Sequence, residues 1–300
     1  MDTFKDNEVI FLVGPTAVGK TNLSITIAER LGAEIISCDS RQVYRGLNIG
    51  TAKPTLEERR GIPHHFIDEL NLEEPFSAGR FAIAARQRIQ SILERNRLPI
   101  IVGGSTLYVH ALMYGLPELP EGNPEIRAKL EQRLYDEGQV ALYRELERVD
   151  PDFAKTLDPT KTQRLIRGLE VYYLTGRPLS SITTQEDGIP FRYRLYVLQR
   201  DRSDLYDRIN QRVDEMIDAG LIEEVRSLLI RGYDESINAL NTIGYKEVFA
   251  YLRGEVTFAQ MIYLIKRNTR RYAKRQITWF RRYKEAIYIS CDGFHDLLLR

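Results

Sequence analysis

Gly14-Pro15-Thr16-Ala17-Val18-Gly19-Lys20-Thr21 fits the pattern G-x-x-x-x-G-K-[ST] at every fixed position. An apolar run, Val9–Val13, leads into it, and Thr21–Leu31 follows with Leu23, Ile27 and Leu31 at helical spacing. Strand, glycine loop and helix in that order form the context in which this pattern binds phosphate. The glycines let the backbone wrap an anion, and successive N–H groups point at it from a helix N-terminus. Lys20 supplies a point charge to a diphosphate, and the Thr21 hydroxyl is placed for Mg²⁺. All eight residues are therefore expected to bind phosphate. The loop alone leaves open whether the ligand is ATP, GTP or the diphosphate of another donor. A nucleoside triphosphatase would add an apolar strand ending in Asp for magnesium; Glu34–Asp39 and His65–Asp68 are the candidates, and neither is a clean match.

Outward from the loop, Glu34–Ser37, Pro99–Val102 and Tyr193–Gln199 read as further short strands, and Ala78–Leu93 as an amphipathic helix. Short apolar strands separated by helices imply a parallel sheet of βαβ units. The Pro- and Gly-containing segment 115–123 marks a boundary, after which 124–174 shows only helices: Glu125–Glu137, Val140–Val149 and Thr162–Leu174. The expected fold is thus α/β, a P-loop NTPase-like parallel sheet core with an inserted all-helical domain and a helical C-terminal region. Residues 1–117 begin the core, 118–190 form the insertion, and 191–300 complete the core, ending in a basic helical region with a short strand at Ala286–Ser290.

The chain has 300 residues, 43% hydrophobic and 28% charged, which excludes wholesale disorder. No apolar run approaches the ~18 residues of a membrane span. The polar start, Met1 to Glu8, shows no signal peptide. Cys38 and Cys291 make neither a disulfide framework nor a metal cluster, and a reducing cytoplasmic setting fits them. His64, His65, His110 and His295 are not spaced as metal ligands, and His64-His65 reads as a loop pair. The net charge of +1 conceals an asymmetry, because residues 256–284 hold nine basic side chains and no acidic one. Such a segment suits a polyanionic partner, or else a solvated helix face.

Asp39, just past the second strand, lies at the sheet edge where open α/β folds bind ligands. It reads as a magnesium ligand or general base, with an N-cap in a turn as the plain alternative. Gly103-Gly104-Ser105 ends the third strand in the same way, and paired glycines admit a ligand close to the backbone. Arg208 and Arg212 stand one turn apart beside the apolar face of a helix, Ser203–Ala219.

Together these segments resemble one family, the bacterial tRNA dimethylallyltransferases. The resemblance rests on Gly14–Thr21, Ser37–Tyr44 running on to Ile49–Pro54, and Gly103–Tyr108. It continues through Gln163–Arg167, Arg208–Met216 with Gly220-Leu221, Ile243-Gly244-Tyr245 and Lys274–Trp279, so it spans nearly the whole chain. It implies transfer of a dimethylallyl group from dimethylallyl diphosphate to N6 of adenosine 37, next to the anticodon, in tRNAs reading codons that begin with U. Mg²⁺ would be the cofactor, with Thr21 as its ligand beside the diphosphate. Asp39, Ser105 and Arg212 would be the catalytic residues. Asp39, Ser40, Arg41, Gln42, Ser105, Arg127, Gln163, Arg164, Leu165, Ile166, Arg167, Arg271 and Lys274 would contact the tRNA. The insertion would grip the anticodon stem-loop, with no membrane partner and a monomeric protein. The family usually has threonine where this chain has Ser105. Adenylate dimethylallyltransferases, acting on free AMP, ADP or ATP, and phosphate-loop small-molecule kinases share parts of the pattern.

Overall fold

The computed structural model describes residues 8–158, 160–183 and 189–290. It divides into two compact units, 1–113 with 188–300 and 114–187, against the expected insertion of 118–190. Cys291 and His295 lie outside the described residues.

The larger unit is built on a parallel sheet of six strands: β1 (Glu8–Val13), β2 (Glu34–Cys38), β3 (His64–His65), β4 (Pro99–Gly103), β5 (Arg192–Gln199) and β6 (Ile287–Ser290). Their spatial order is β3-β2-β4-β1-β5-β6. β1 lies in the interior, every residue buried, which is why Val9–Val13 reads as a continuous apolar run instead of an alternating one. Helices α1 (Lys20–Leu31), α2 (Ala78–Glu94), α3 (Thr106–Tyr114), α8 (Arg202–Asp218), α9 (Leu221–Ile230), α10 (Tyr245–Leu252) and α11 (Phe258–Phe280) accompany the sheet.

The expectation of a loop at His64-His65 is corrected. The pair forms an edge strand, in register with Ile35 and Ile36 of β2. Two polar residues carry no strand periodicity; β2 supplies the order through its backbone. His65 Nε2 lies 2.7 Å from the buried Glu34 carboxylate, which Arg95 (3.0 Å) and Arg97 (3.4 Å) also engage.

Register fixes the functional edge. Val13 of β1 and Cys38 of β2 both pair with Gly103 of β4. Gly14, Asp39 and Gly104 therefore leave three neighbouring strands at one level. A Cβ at Gly103 would lie 2.1 Å from the Cys38 carbonyl, so only glycine permits this approach.

The smaller unit contains α4 (Pro124–Glu137), α5 (Gln139–Val149), α6 (Pro151–Thr156) and α7 (Thr162–Thr175). Asn123 and Asp150 cap α4 and α6 with their side chains, and Pro follows each cap at the first helical position. Leu130, Leu142, Leu146, Leu165, Ile166 and Leu169 form its core. This corrects two expected RNA contacts: Leu165 and Ile166 are buried because α7 turns them inward, while Gln163 and Arg164 of the same run are exposed. Arg127 and Arg167 are bound internally. Arg127 (2.9 Å) and Arg167 (2.6 Å) both meet the carboxylate of the fully buried Glu170, which also accepts the Asn123 N–H at 2.8 Å.

Among the described residues no helix is long and apolar enough to cross a membrane. Nor does any cluster of three His, Cys, Asp or Glu side chains suit a metal ion.

Burial by itself would raise the Glu170 carboxyl, but the bonds from Arg127, Arg167 and Asn123 outweigh it and hold it below the ordinary range. A carboxyl depressed by folding stabilises above its unfolded value and loses that contribution as pH falls through the lower folded value. Glu170→Gln should therefore destabilise the smaller unit by about 2 kcal/mol at neutral pH, since both arginines can turn to solvent. Hydrogen exchange of α4 and α7 amides reads this directly. The gap between variant and parent should close below about pH 4; a gap undiminished at still lower pH would rule out the charge as its source.

Candidate active site

The loop between β1 and α1 is pinned from outside. Ala17 holds a left-handed backbone, φ 64°, which costs a non-glycine residue roughly 1–2 kcal/mol. Bonds on both sides of it offset that cost. Gln276 Oε1 accepts the Thr16 N–H at 2.9 Å, and Arg208 Nε donates to the Ala17 carbonyl at 2.9 Å. Arg200 Nε reaches the Val18 carbonyl at 3.4 Å. Lys20 Nζ donates to the Gly14 and Pro15 carbonyls at 3.0 and 2.7 Å. Gly19 caps α1 without a side-chain acceptor, so the first-turn amides are left for an anion.

Two cavities adjoin this loop. The first, about 150 Å³, is lined by Thr16 to Thr21 except Val18, by Asp39, Arg208 and Arg212, and by the apolar Ile35, Ile67 and Val102. The second, about 430 Å³, takes in Ser40, Ser105, Met216 and Asn241. Arg41, Arg212, Lys246 and Arg275 also line it, with Asp39 as its single carboxylate among the described residues. Thr16, Asp39, Thr51, Ala52, Arg212 and Tyr272 belong to both. A carboxylate and a guanidinium thus stand where the cavity along the glycine loop meets one lined by four cations.

Asp39 forms the turn of its plainer reading and also lines both cavities. Oδ1 closes a turn, accepting the Arg41 N–H at 2.8 Å and the Gln42 N–H at 3.3 Å; Oδ2 takes no part in it. The turn fixes the carboxylate at the end of β2. Ser105 Oγ accepts the Ser40 N–H at 3.0 Å, tying the ends of β2 and β4 together. Tyr272 of α11 lines both cavities beside Asp39; burial first, then the Asp39 charge, push its phenol up.

The two arginines of α8 part company. Arg208 is committed to the loop, whereas Arg212 makes no hydrogen bond or salt bridge with a described residue. Burial, then the neighbouring Arg208, lower its guanidinium from the ordinary value. Glu215 and Glu58 offset this only in part, so a half-buried cation facing two cavities is a candidate anion site.

Other expected residues fall differently. Arg41 lines the second cavity and bonds to the Asn238 carbonyl. The Gln42 amide is satisfied internally by Ser37, Thr51 and Ala52, so it shapes the first cavity's wall. Asp68 is withdrawn as a magnesium ligand, because Lys53 at 2.5 Å and Arg59 at 3.3 Å hold its carboxylate. Arg271 and Lys274 are exposed on α11, while Lys266 and Arg270 of the same helix bond to Asp214 and Asn210. Residues without a role in the sequence reading also build the site. Glu224 accepts the N–H groups of Asn48, Ile49 and Gly50 and the Tyr245 hydroxyl, holding the loop that leads to Thr51 and Ala52. Gln276 is the second; it lies within the Lys274–Trp279 block of the family resemblance, and its further signal is a polar residue on the apolar side of a helix.

The IPP transferase family model matches residues 42–283, starting after the phosphate loop. A tRNA dimethylallyltransferase of Salinibacter ruber is 57% identical over 278 residues, 92% of this chain and 86% of its own. Another, from Pelotomaculum thermopropionicum, is 44% identical over 97% of this chain and 93% of its own. Among solved structures, the full-length tRNA isopentenylpyrophosphate transferase of Bacillus halodurans is similar with TM-score 0.69 at 42% identity, covering 95% of this chain and 90% of that one. A eukaryotic dimethylallyltransferase acting on tRNA is similar with TM-score 0.78 at 28% identity, over 95% and 74% of the two chains.

Arg212→Gln should weaken binding of inorganic diphosphate about ten-fold or more, the worth of a charged hydrogen bond. Titration calorimetry measures this, and unchanged affinity would mean that Arg212 does not meet the anion.

Proposed function

From membership of the IPP transferase family of tRNA dimethylallyltransferases, to which this chain belongs, we propose that it transfers the dimethylallyl group of dimethylallyl diphosphate to N6 of adenosine 37 in tRNA. The observation that carries this reading is the meeting of the two cavities at Asp39 and Arg212. The first cavity takes the donor, its diphosphate on the loop amides and Lys20, and its apolar tail toward Ile35, Ile67 and Val102. The second takes the acceptor base, with Arg41, Lys246 and Arg275 meeting RNA phosphates.

The N6 lone pair forms a bond to C1 of the donor as the C1–O bond breaks. Diphosphate leaves with the bonding electrons, and the N6 proton passes to Asp39, whose Oδ1 is held by its turn. Lys20 and Arg212 offset charge on the departing oxygen. Thr21 gives the first cavity a hydroxyl, an oxygen donor of the kind Mg²⁺ accepts beside diphosphate oxygens. Mg²⁺ held there with the diphosphate would neutralise leaving-group charge. An adenine stacked in a loop must be flipped out to reach Asp39, at a few kcal/mol. Exposed cations on α11 suit the RNA backbone, and Gln163 and Arg164 of the smaller unit are further contacts. A cytoplasmic setting goes with such a substrate.

The decisive assay offers labelled dimethylallyl diphosphate and Mg²⁺ with unmodified tRNA and with AMP. Label in tRNA alone, at adenosine 37, is expected. Label in AMP would move the protein to nucleotide acceptors, and ATP turnover without transfer would make it a kinase. Asp39→Ala should cut turnover about 10²- to 10⁴-fold while tRNA affinity stays nearly unchanged; undiminished turnover would dismiss Asp39 as the base.

Replacing Arg271 and Lys274 with Gln should lower the slope of log affinity for tRNA against log salt by about 0.7 to 0.9 for every RNA phosphate that either side chain neutralises. An unaltered slope would mean that both face away from the RNA.

A further inference from the structure

Gln276 is almost wholly buried at 2% exposure, within a helix segment otherwise rich in exposed cations. Its amide spans two parts of the donor chamber. Oε1 accepts the Thr16 N–H, and Nε2 donates to the Gly104 carbonyl at 2.7 Å. The fit depends on glycine, since a Cβ at Gly104 would stand 2.3 Å from Nε2. Gly104 has no positive φ, so alanine there is opposed by the amide first and by the Gly14 carbonyl, 3.1 Å from the same Cβ, second. Thr16 immediately precedes Ala17, whose left-handed backbone turns the following amides toward the anion.

We propose that Gln276 is a positioning residue for the donor diphosphate: by fixing the Thr16 peptide and bracing it against Gly104, it holds the phosphate loop in its anion-binding shape. The inference rests on the reading of the first cavity as the donor chamber. Gln276 does not itself meet the diphosphate. Without it, Ala17 relaxes toward an ordinary backbone and the ring of amides opens. The site is then lost to the donor while the RNA-facing surface of α11 is untouched.

The probes are inorganic diphosphate by titration calorimetry, tRNA by filter binding, and the thermal midpoint. Gln276→Leu, similar in volume, should weaken diphosphate binding about ten-fold and raise the KM for dimethylallyl diphosphate in step, with tRNA affinity unchanged. Gly104→Ala, which evicts the amide without altering Gln276, should give the same loss and a lower midpoint. Combining Gly104→Ala with Gln276→Ala relieves the contact with the amide and leaves only the 3.1 Å approach to the Gly14 carbonyl, so the midpoint should recover in large part while diphosphate affinity does not. A purely structural role predicts that affinity returns with the midpoint, and that result overturns the proposal. So does parental diphosphate affinity in Gln276→Leu or, should that variant fail to fold, in Gly104→Ala. Failure of the parent protein to bind diphosphate would instead refute the donor-chamber reading, and the inference with it.

Discussion

Three strand ends at one level, β1, β4 and β2, are the constraint on which the site depends. Because Val13, Gly103 and Cys38 share a register, the phosphate loop, the Gly104-Ser105 turn and Asp39 emerge side by side. Backbone hydrogen bonds set this spacing. The distance from anion cradle to carboxylate is thus as rigid as the sheet itself, and the closest contact is allowed only because Gly103 has no side chain. Two helices complete the site from outside the sheet, α8 with Arg208 and Arg212 and α11 with Tyr272 and Gln276.

Cations are abundant in this protein, and their partners sort them. Lys53 and Arg59 hold Asp68, Arg95 and Arg97 surround Glu34, and Arg127 with Arg167 neutralises Glu170. These pairs organise loops and helix ends. Arg212 differs because it is half-buried and makes no hydrogen bond or salt bridge with a described residue; the charges of Glu215 and Glu58 only partly offset its burial beside Arg208, which favours the arrival of an anion. Arg271 and Lys274 differ again, being exposed and suited to long-range attraction.

What could be read from the chain alone was whatever is contiguous. The phosphate loop is eight consecutive residues, and the buried strands are unbroken apolar runs, so both were plain. β3 was not, because two histidines carry no periodicity and are ordered by their neighbour. Helical spacing put Arg208 and Arg212 on one side of α8 but could not separate them; a carbonyl 191 residues away in the chain does that. Leu165 and Ile166 sat within a run matched to RNA contact, yet the helical period alone would have sent them inward. Glu170, three residues after Arg167, was the visible sign that this arginine had an internal partner. Gln276 lay beyond reach, since its meaning comes from Thr16 and Gly104, 260 and 172 residues distant.

That separation has a consequence for biosynthesis. The phosphate loop leaves the ribosome well ahead of two parts that shape it: β5, one of the two neighbours of β1, starts only at Arg192, and Gln276 follows later still. At ~5–20 residues per second, the loop waits roughly 13 to 50 s for its brace. During that interval the nascent chain carries a glycine loop that α11 has not yet braced. A chain that stops short of α11 can align β1 with β4 but lacks the amide that joins Thr16 to Gly104, so the loop gains that contact only once α11 has been made.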